Sequence, residues 1–83
     1  MNQAIQVLDG CTYIDTKKAL KVDIMASGQM LVCYIYGSDK KALMSLYKNK
    51  QFEIEEMIEQ QLELDRLNSD GEIWLTVDEV YAY

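Results

Sequence analysis

One stretch, Lys18 to Tyr36, restricts the architecture more than any other. Its first arm alternates Leu20, Val22 and Ile24 with Lys21 and Asp23, the period-two pattern of a half-buried strand. The second arm, Met30 to Tyr36, is rich in the β-branched and aromatic side chains that pack well on a pleated surface. Ser27-Gly28 lies between them, and a two-residue turn there sets Ala26 opposite Gln29. Counting back pairs Ile24 with Leu31, Val22 with Cys33 and Leu20 with Ile35, so one face of the hairpin is wholly apolar. A slip of one residue would turn that row to the opposite side, which is why pattern and register support each other. The other face carries Lys21, Asp23 and Met25 on one arm and Met30, Val32, Tyr34 and Tyr36 on the other. It is too apolar for bare solvent surface, so a chain terminus or a second subunit is expected over it.

The remaining segments are weaker. Met1 to Leu8, with Ile5 and Leu8 apolar and Val7 between them, has a fair strand pattern that suits an edge of the hairpin; Asp9-Gly10 is a turn dipeptide, and Cys11 to Asp15 reads as an irregular return with Tyr13-Ile14 as a small apolar plug. After Gly37, Ser38 or Asp39 is placed to cap a helix running to about Tyr47 with Ala42, Leu43 and Leu46 on one face. Lys48 to Phe52 reads as a connection anchored by the one phenylalanine. A second helix is expected over 53–67. In it Ile54, Met57, Ile58, Leu62 and Leu64 fall within an arc of about 160°, the usual breadth of a core-facing stripe. Gln61 lies near the middle of that arc, where a buried amide needs a partner, either within the monomer or across a symmetric helix contact. Asn68 to Gly71 is a helix stop. Glu72 to Thr76 is a short strand that sends Ile73 and Leu75 to one side and Trp74 to the other. Thr76 with Glu79 is a capping-box pattern for a short final helix or a fraying tail from Val77 to Ala82.

These elements predict one small α+β domain spanning residues 1–83 with no internal linker. They predict an antiparallel sheet of three to four strands, built on the central hairpin (18–36) and packed on one side by two helices, about 39–47 and 53–67. At 83 residues a single core is modest, and stability can lean on a partner chain. Without a long apolar run or a basic leader followed by an apolar stretch, the expectation is a cytoplasmic protein with no membrane span.

Charge narrows the range of partners. Residues 1–50 hold seven lysines and four acids, whereas residues 51–83 hold ten acids and Arg66. A formal net charge of −6 argues against nucleic-acid binding, which needs clustered Lys or Arg. A continuous patch of Lys17, Lys18, Lys40, Lys41, Lys48 and Lys50 would reverse that argument. Tyr34 and Tyr36 have the form of the stacking aromatics on an RNA-binding sheet, but no arginine accompanies them. An acidic face for a basic partner is the other reading of the asymmetry, beside plain solubility.

Chemistry finds little footing. Histidine is absent, which removes the commonest acid–base group near neutrality and the commonest neutral metal ligand. Nucleophile-elbow, phosphate-loop, dinucleotide and C-x-x-C patterns are absent too. Glu55, Glu59 and Glu63 recur at i, i+4, a spacing that can hold a divalent cation, but they lie on the polar side of their helix with no second motif to complete the coordination. Asp65 and Asp70 lack the ligand spacing of a calcium loop. Cys33 belongs to the apolar face, and Cys11, in a loop, is the more accessible thiol; a bond between them stays open on sequence alone. No catalytic, cofactor-binding or metal-ligating residue is assigned, and no cofactor is expected.

The chain resembles the bacterial domain-of-unknown-function family 1488. The likeness lies in the opening Met1-Asn2-Gln3-Ala4-Ile5, in Leu31-Val32-Cys33-Tyr34-Ile35 before a short helix, in Phe52 to Glu59, and in Gly71-Glu72-Ile73-Trp74-Leu75-Thr76. It covers about residues 1–76 and implies a fold neighbourhood, but the family has no established activity to carry over. The reading that follows is a non-enzymatic accessory or regulatory protein acting through contact with a protein partner, or as a homodimer. The interface candidates are Met25, Met30, Val32, Tyr34, Tyr36, Gln61 and Trp74. The alternatives are a carboxylate- and metal-dependent hydrolase and a nucleic-acid-binding transcriptional regulator.

Overall fold

The computed structural model describes residues 5–8, 10–64 and 70–83. The hairpin is formed by β3 (Ala19–Ala26) and β4 (Gln29–Tyr36) in the register that the alternation predicts, from Ala26 opposite Gln29 through Val22 opposite Cys33 to Ala19 opposite Tyr36. Ser27 and Gly28 both have positive φ, 52° and 82°, as a type I′ turn requires, and that turn matches the right-handed twist of the flanking strands.

Two short strands, β1 (Ile5–Val7) and β2 (Thr12–Ile14), pair antiparallel with successive parts of β3. The segment expected to be an irregular return is therefore a strand of the sheet. It is only three residues long, and it is held by pairing with the long β3 rather than by any alternation of its own. The first pairing ends with Val7 opposite Ile24 and the second begins with Thr12 opposite Lys21, so the edge that β1 and β2 form along β3 is broken between them.

On the other side of the hairpin β5 (Glu72–Thr76) pairs with β4, and it runs parallel to it. The lateral order is β1–β3–β4–β5, with β2 also on β3. The expected antiparallel sheet of three to four strands with two helices is thus corrected, among the described residues, to a five-stranded mixed sheet with three helices. The physical reason is the connection: a parallel neighbour needs a crossover of a dozen or more residues, and α1 (Lys40–Asn49) and α2 (Gln51–Glu63) supply it between β4 and β5.

Asp39 caps α1, its carboxylate accepting from the Ala42 backbone N–H at 2.8 Å. Leu43, Leu46 and Tyr47 are the buried face of that helix. Lys50 alone separates α1 from α2, so Phe52 does not anchor a connection; it lies in the first turn of α2 and is 69% exposed. Ile54, Met57 and Ile58 are buried, Leu62 packs partly against them, and Leu64 at the helix end is exposed, which shortens the expected apolar stripe. The end assigned to that helix from sequence, with Leu67, lies outside the described residues. The third helix, α3 (Val77–Ala82), begins with the capping box in full: the Thr76 hydroxyl accepts from the Glu79 N–H, and the Glu79 carboxylate accepts from the Thr76 N–H.

All three helices bury their apolar residues against the same side of the sheet. Leu20, Val22, Ile24, Cys33, Ile35, Ile73 and Leu75 meet Leu43, Leu46, Tyr47, Ile54, Met57, Ile58 and Val80 in one core. Full burial of a Leu or Ile side chain stabilises by about 1.5–3 kcal/mol each, so this two-layer contact holds the domain together. Cys33 sits inside it, Cys11 packs at its margin, and both thiols are free.

Candidate functional site

With the helices gathered on one side, the opposite face of the sheet becomes the surface of interest, and alternation decides what it carries. On β3 the odd-numbered residues, Ala19 to Met25, point there; on β4 the even-numbered ones, Met30 to Tyr36; on β5 Glu72, Trp74 and Thr76. The ladder arranges them in four rows: Met25–Met30, Asp23–Val32–Glu72, Lys21–Tyr34–Trp74 and Ala19–Tyr36–Thr76. Six of the seven residues singled out from sequence, Met25, Met30, Val32, Tyr34, Tyr36 and Trp74, are thereby brought onto one surface. Gln61 is not among them. It lies half-buried on α2, in the helical layer.

The centre of the face is aromatic. The rings of Tyr34 and Trp74 lie 4.5 Å apart at 31°, and Tyr36 meets Trp74 edge-on at 5.7 Å and 70°. Both arrangements suit the ring quadrupoles, and such a pair contributes about 0.5–1.5 kcal/mol beyond the area it buries. The indole N–H donates to the Glu72 carboxylate at 3.1 Å, which fixes the ring plane. Tyr34 is buried in this cluster, whereas Met30 and Tyr36 remain 56% and 38% exposed.

Sequence reasoning did not find the cation that belongs to the cluster. Lys17 Nζ stands 5.3 Å from the Tyr34 ring centroid and 5.9 Å from that of Trp74. It comes from the tight turn between β2 and β3, where the Lys17 N–H donates to the Ile14 carbonyl and Lys18 adopts φ 52°. That turn lies outside any alternation, so only its short length between Ile14 and Ala19 could have pointed to it. Lys21 and Asp23 pair beside the aromatics at 3.8 Å, both side chains well exposed, a contact of little net stability.

The carboxylates considered for metal chemistry do not converge. Glu59 and Glu63 are exposed on α2, and Glu55 accepts from the Gln51 amide at 3.3 Å. Among the described residues no group of three or more His, Cys, Asp or Glu side chains is gathered to hold a metal ion. Asp65 lies outside the described residues. Burial pushes the Cys33 thiol up to about 12, far from an ionised nucleophile, and raises that of Cys11 as well. Cys11 Sγ lies 3.8 Å from Met44 Sδ, a sulfur contact that ties the start of β2 to α1. No described helix is long and apolar enough to cross a membrane.

No family model matches the chain, and no curated protein matches it. A solved structure does: the 1.60 Å crystal structure of a protein of unknown function from the DUF1488 family of Shewanella loihica PV-4, with a TM-score of 0.77 and 25% sequence identity. The match covers 90% of this chain and 94% of that one. The resemblance to this family is therefore carried by the fold as well as by the sequence.

Proposed function

For a chain that resembles the DUF1488 family over nine-tenths of its length, we propose a non-enzymatic accessory or regulatory protein that acts by protein–protein contact through the outer sheet face. One observation carries this reading. The face opposite the helices holds Met25, Met30, Val32, Tyr34, Tyr36 and Trp74 side by side, and its largest apolar groups at the rim, Met30 and Tyr36, are open to solvent. Aromatic residues and methionine are enriched where proteins meet, and contiguous exposed apolar surface usually marks such a site. A second copy of the chain is the first partner on this reading. The absence of histidine and the open placement of Glu59 and Glu63 support contact over catalysis.

The test is affinity capture from an extract of the source cell with the native chain, with Tyr36→Lys together with Met30→Lys, and with a control charge change on α1, Lys48→Glu. Partners retained by the native chain and the Lys48 variant but lost with the face variant support the reading. Capture indifferent to the face substitutions refutes it.

A further inference from the structure

We propose that the outer face is self-complementary and that its occupant is a second copy of this chain, docked about a two-fold axis that runs between the two faces, parallel to the sheet plane and perpendicular to the strands. The inference deepens the contact reading and rests on it. Its basis is the order of the four rows. The second row carries the acids, Asp23 and Glu72; the third carries the lysine and the ring that a further lysine covers, Lys21 and Trp74 beneath Lys17. Acid and base thus occupy adjacent rows of β3, and on β5 Glu72 stands one row from Trp74, over which Lys17 reaches from the turn before β3.

An axis running between those two rows turns the face over onto itself so that each strand lies on its own counterpart with the rows reversed. Asp23 then faces the partner's Lys21, and Lys21 faces the partner's Asp23. Trp74, with Lys17 above it, is brought towards the partner's Glu72. The outer rows are uncharged, and they bring Met30 over the partner's Tyr36, joining the two large apolar residues of this face that stand open to solvent. A two-fold parallel to the strands is disfavoured, because it keeps each row on itself; along β4 it would set Asp23 against the partner's Glu72, acid on acid. Like charges facing one another across an interface discriminate against a pairing more strongly than opposite charges favour one. Stacked sheets also prefer mean strand directions within about 30° of each other, which this arrangement allows.

Size sets the strength. Eight-residue strands and four strand positions make a face about 26 Å by 19 Å, a footprint of about 500 Å². That lies below the roughly 800 Å² per partner of an ordinary stable interface, so the dimer is expected to form in the micromolar range rather than to be obligate.

Charge exchange between the two residues tests the axis. Lys21→Asp gives a face with acids at both positions, and Asp23→Lys one with lysines at both. Each alone sets like charges together across the axis, whereas a mixture of the two restores opposite pairs. Sedimentation velocity from about 5 to 500 μM is expected to show the native chain passing from 9.6 kDa to twice that mass. Each variant alone should dissociate at least tenfold more readily, and an equimolar mixture should recover. Within each chain the variant is the same alone or mixed, so recovery cannot come from folding; circular dichroism checks that both fold. A native chain that stays at the monomer mass at 500 μM overturns the proposal, as does a mixture no better than its components. Benzoylphenylalanine in place of Tyr36 separates this from the broader reading. A photo-adduct of two chains in the pure protein supports the dimer. Adducts only with other proteins in extract overturn the dimer but leave the contact reading standing, and no adduct in either overturns both.

Discussion

Cys33 stands directly opposite Val22 in the β3–β4 ladder, and neither side chain reaches solvent. The thiol is raised from 9.0 to about 12 because burial penalises the thiolate. A proton held more tightly in the folded chain than in the unfolded one stabilises fully below the unfolded pKa, and that contribution falls as pH rises towards the folded pKa. Stability is therefore expected to drop from about pH 9 upward by as much as ~1.4 kcal/mol per pH unit from this group. Urea unfolding of the native chain and of Cys33→Val between pH 7 and 10.5 isolates the term, since the other titrating groups are common to both. Parallel curves at all pH values would show that Cys33 does not contribute.

Thiol labelling should separate the two cysteines. Cys11 is half-buried just before β2 and beside Met44, whereas Cys33 is inside the core. Native protein is expected to titrate one thiol promptly with a disulfide reagent and the second only on unfolding; the labelled peptide identifies which.

The hairpin turn is open to improvement. Ser27 holds φ 52°, a conformation that asparagine tolerates better than serine, and Asn-Gly is the preferred pair for a type I′ turn. Ser27→Asn should stabilise by about 0.5 kcal/mol, while Gly28→Ala, at φ 82°, should cost about 1–2 kcal/mol. Thermal melts would read both, and a neutral Gly28→Ala would contradict the turn assignment.

Each of two helices is started by one side chain. Asp39→Ala and Thr76→Ala should each cost about 1 kcal/mol, within a range of roughly 0.5–2. Asparagine at position 39 should recover most of the first loss, because it still accepts from the Ala42 N–H; chemical denaturation of the three variants checks the order.

Lys17 can be followed through the chain's one tryptophan. Removing the ammonium by Lys17→Ala should alter Trp74 emission and cost about 0.5–1 kcal/mol, the worth of an exposed cation–π contact. Lys18→Ala, the neighbouring substitution, is expected to leave the emission unchanged.

What was legible in the sequence was what repeats. Leu20, Val22 and Ile24 against Leu31, Cys33 and Ile35 announced both strand type and register, because alternation and a two-residue turn agree only in one alignment. Ser38-Asp39 and the Thr76–Glu79 spacing marked two helix starts by capping chemistry, while the choice of Asp39 over Ser38 and of a helix over a fraying tail came from the structure. Thr12 to Ile14 was illegible as a strand, since three residues carry no period, and their conformation is dictated by β3. The direction of β5 was illegible for another reason: alternation tells which of Ile73 and Trp74 faces the core, but not which neighbour the strand chooses or which way it runs. The outer face followed from the same register that defined the core, yet Lys17 did not, because it enters from a turn.

The break between β1 and β2 bears on how the molecule behaves in a crowd. An unbroken flat edge invites strand after strand from other chains, and growth of that kind has no natural end. Here one border is broken between the three-residue β1 and β2, and the other is the five-residue β5, which turns at once into α3. Neither border offers a long template for polymerisation. Association is thereby steered away from open-ended stacking along the edges and towards the face, where two-fold contact closes on itself and stops at a pair.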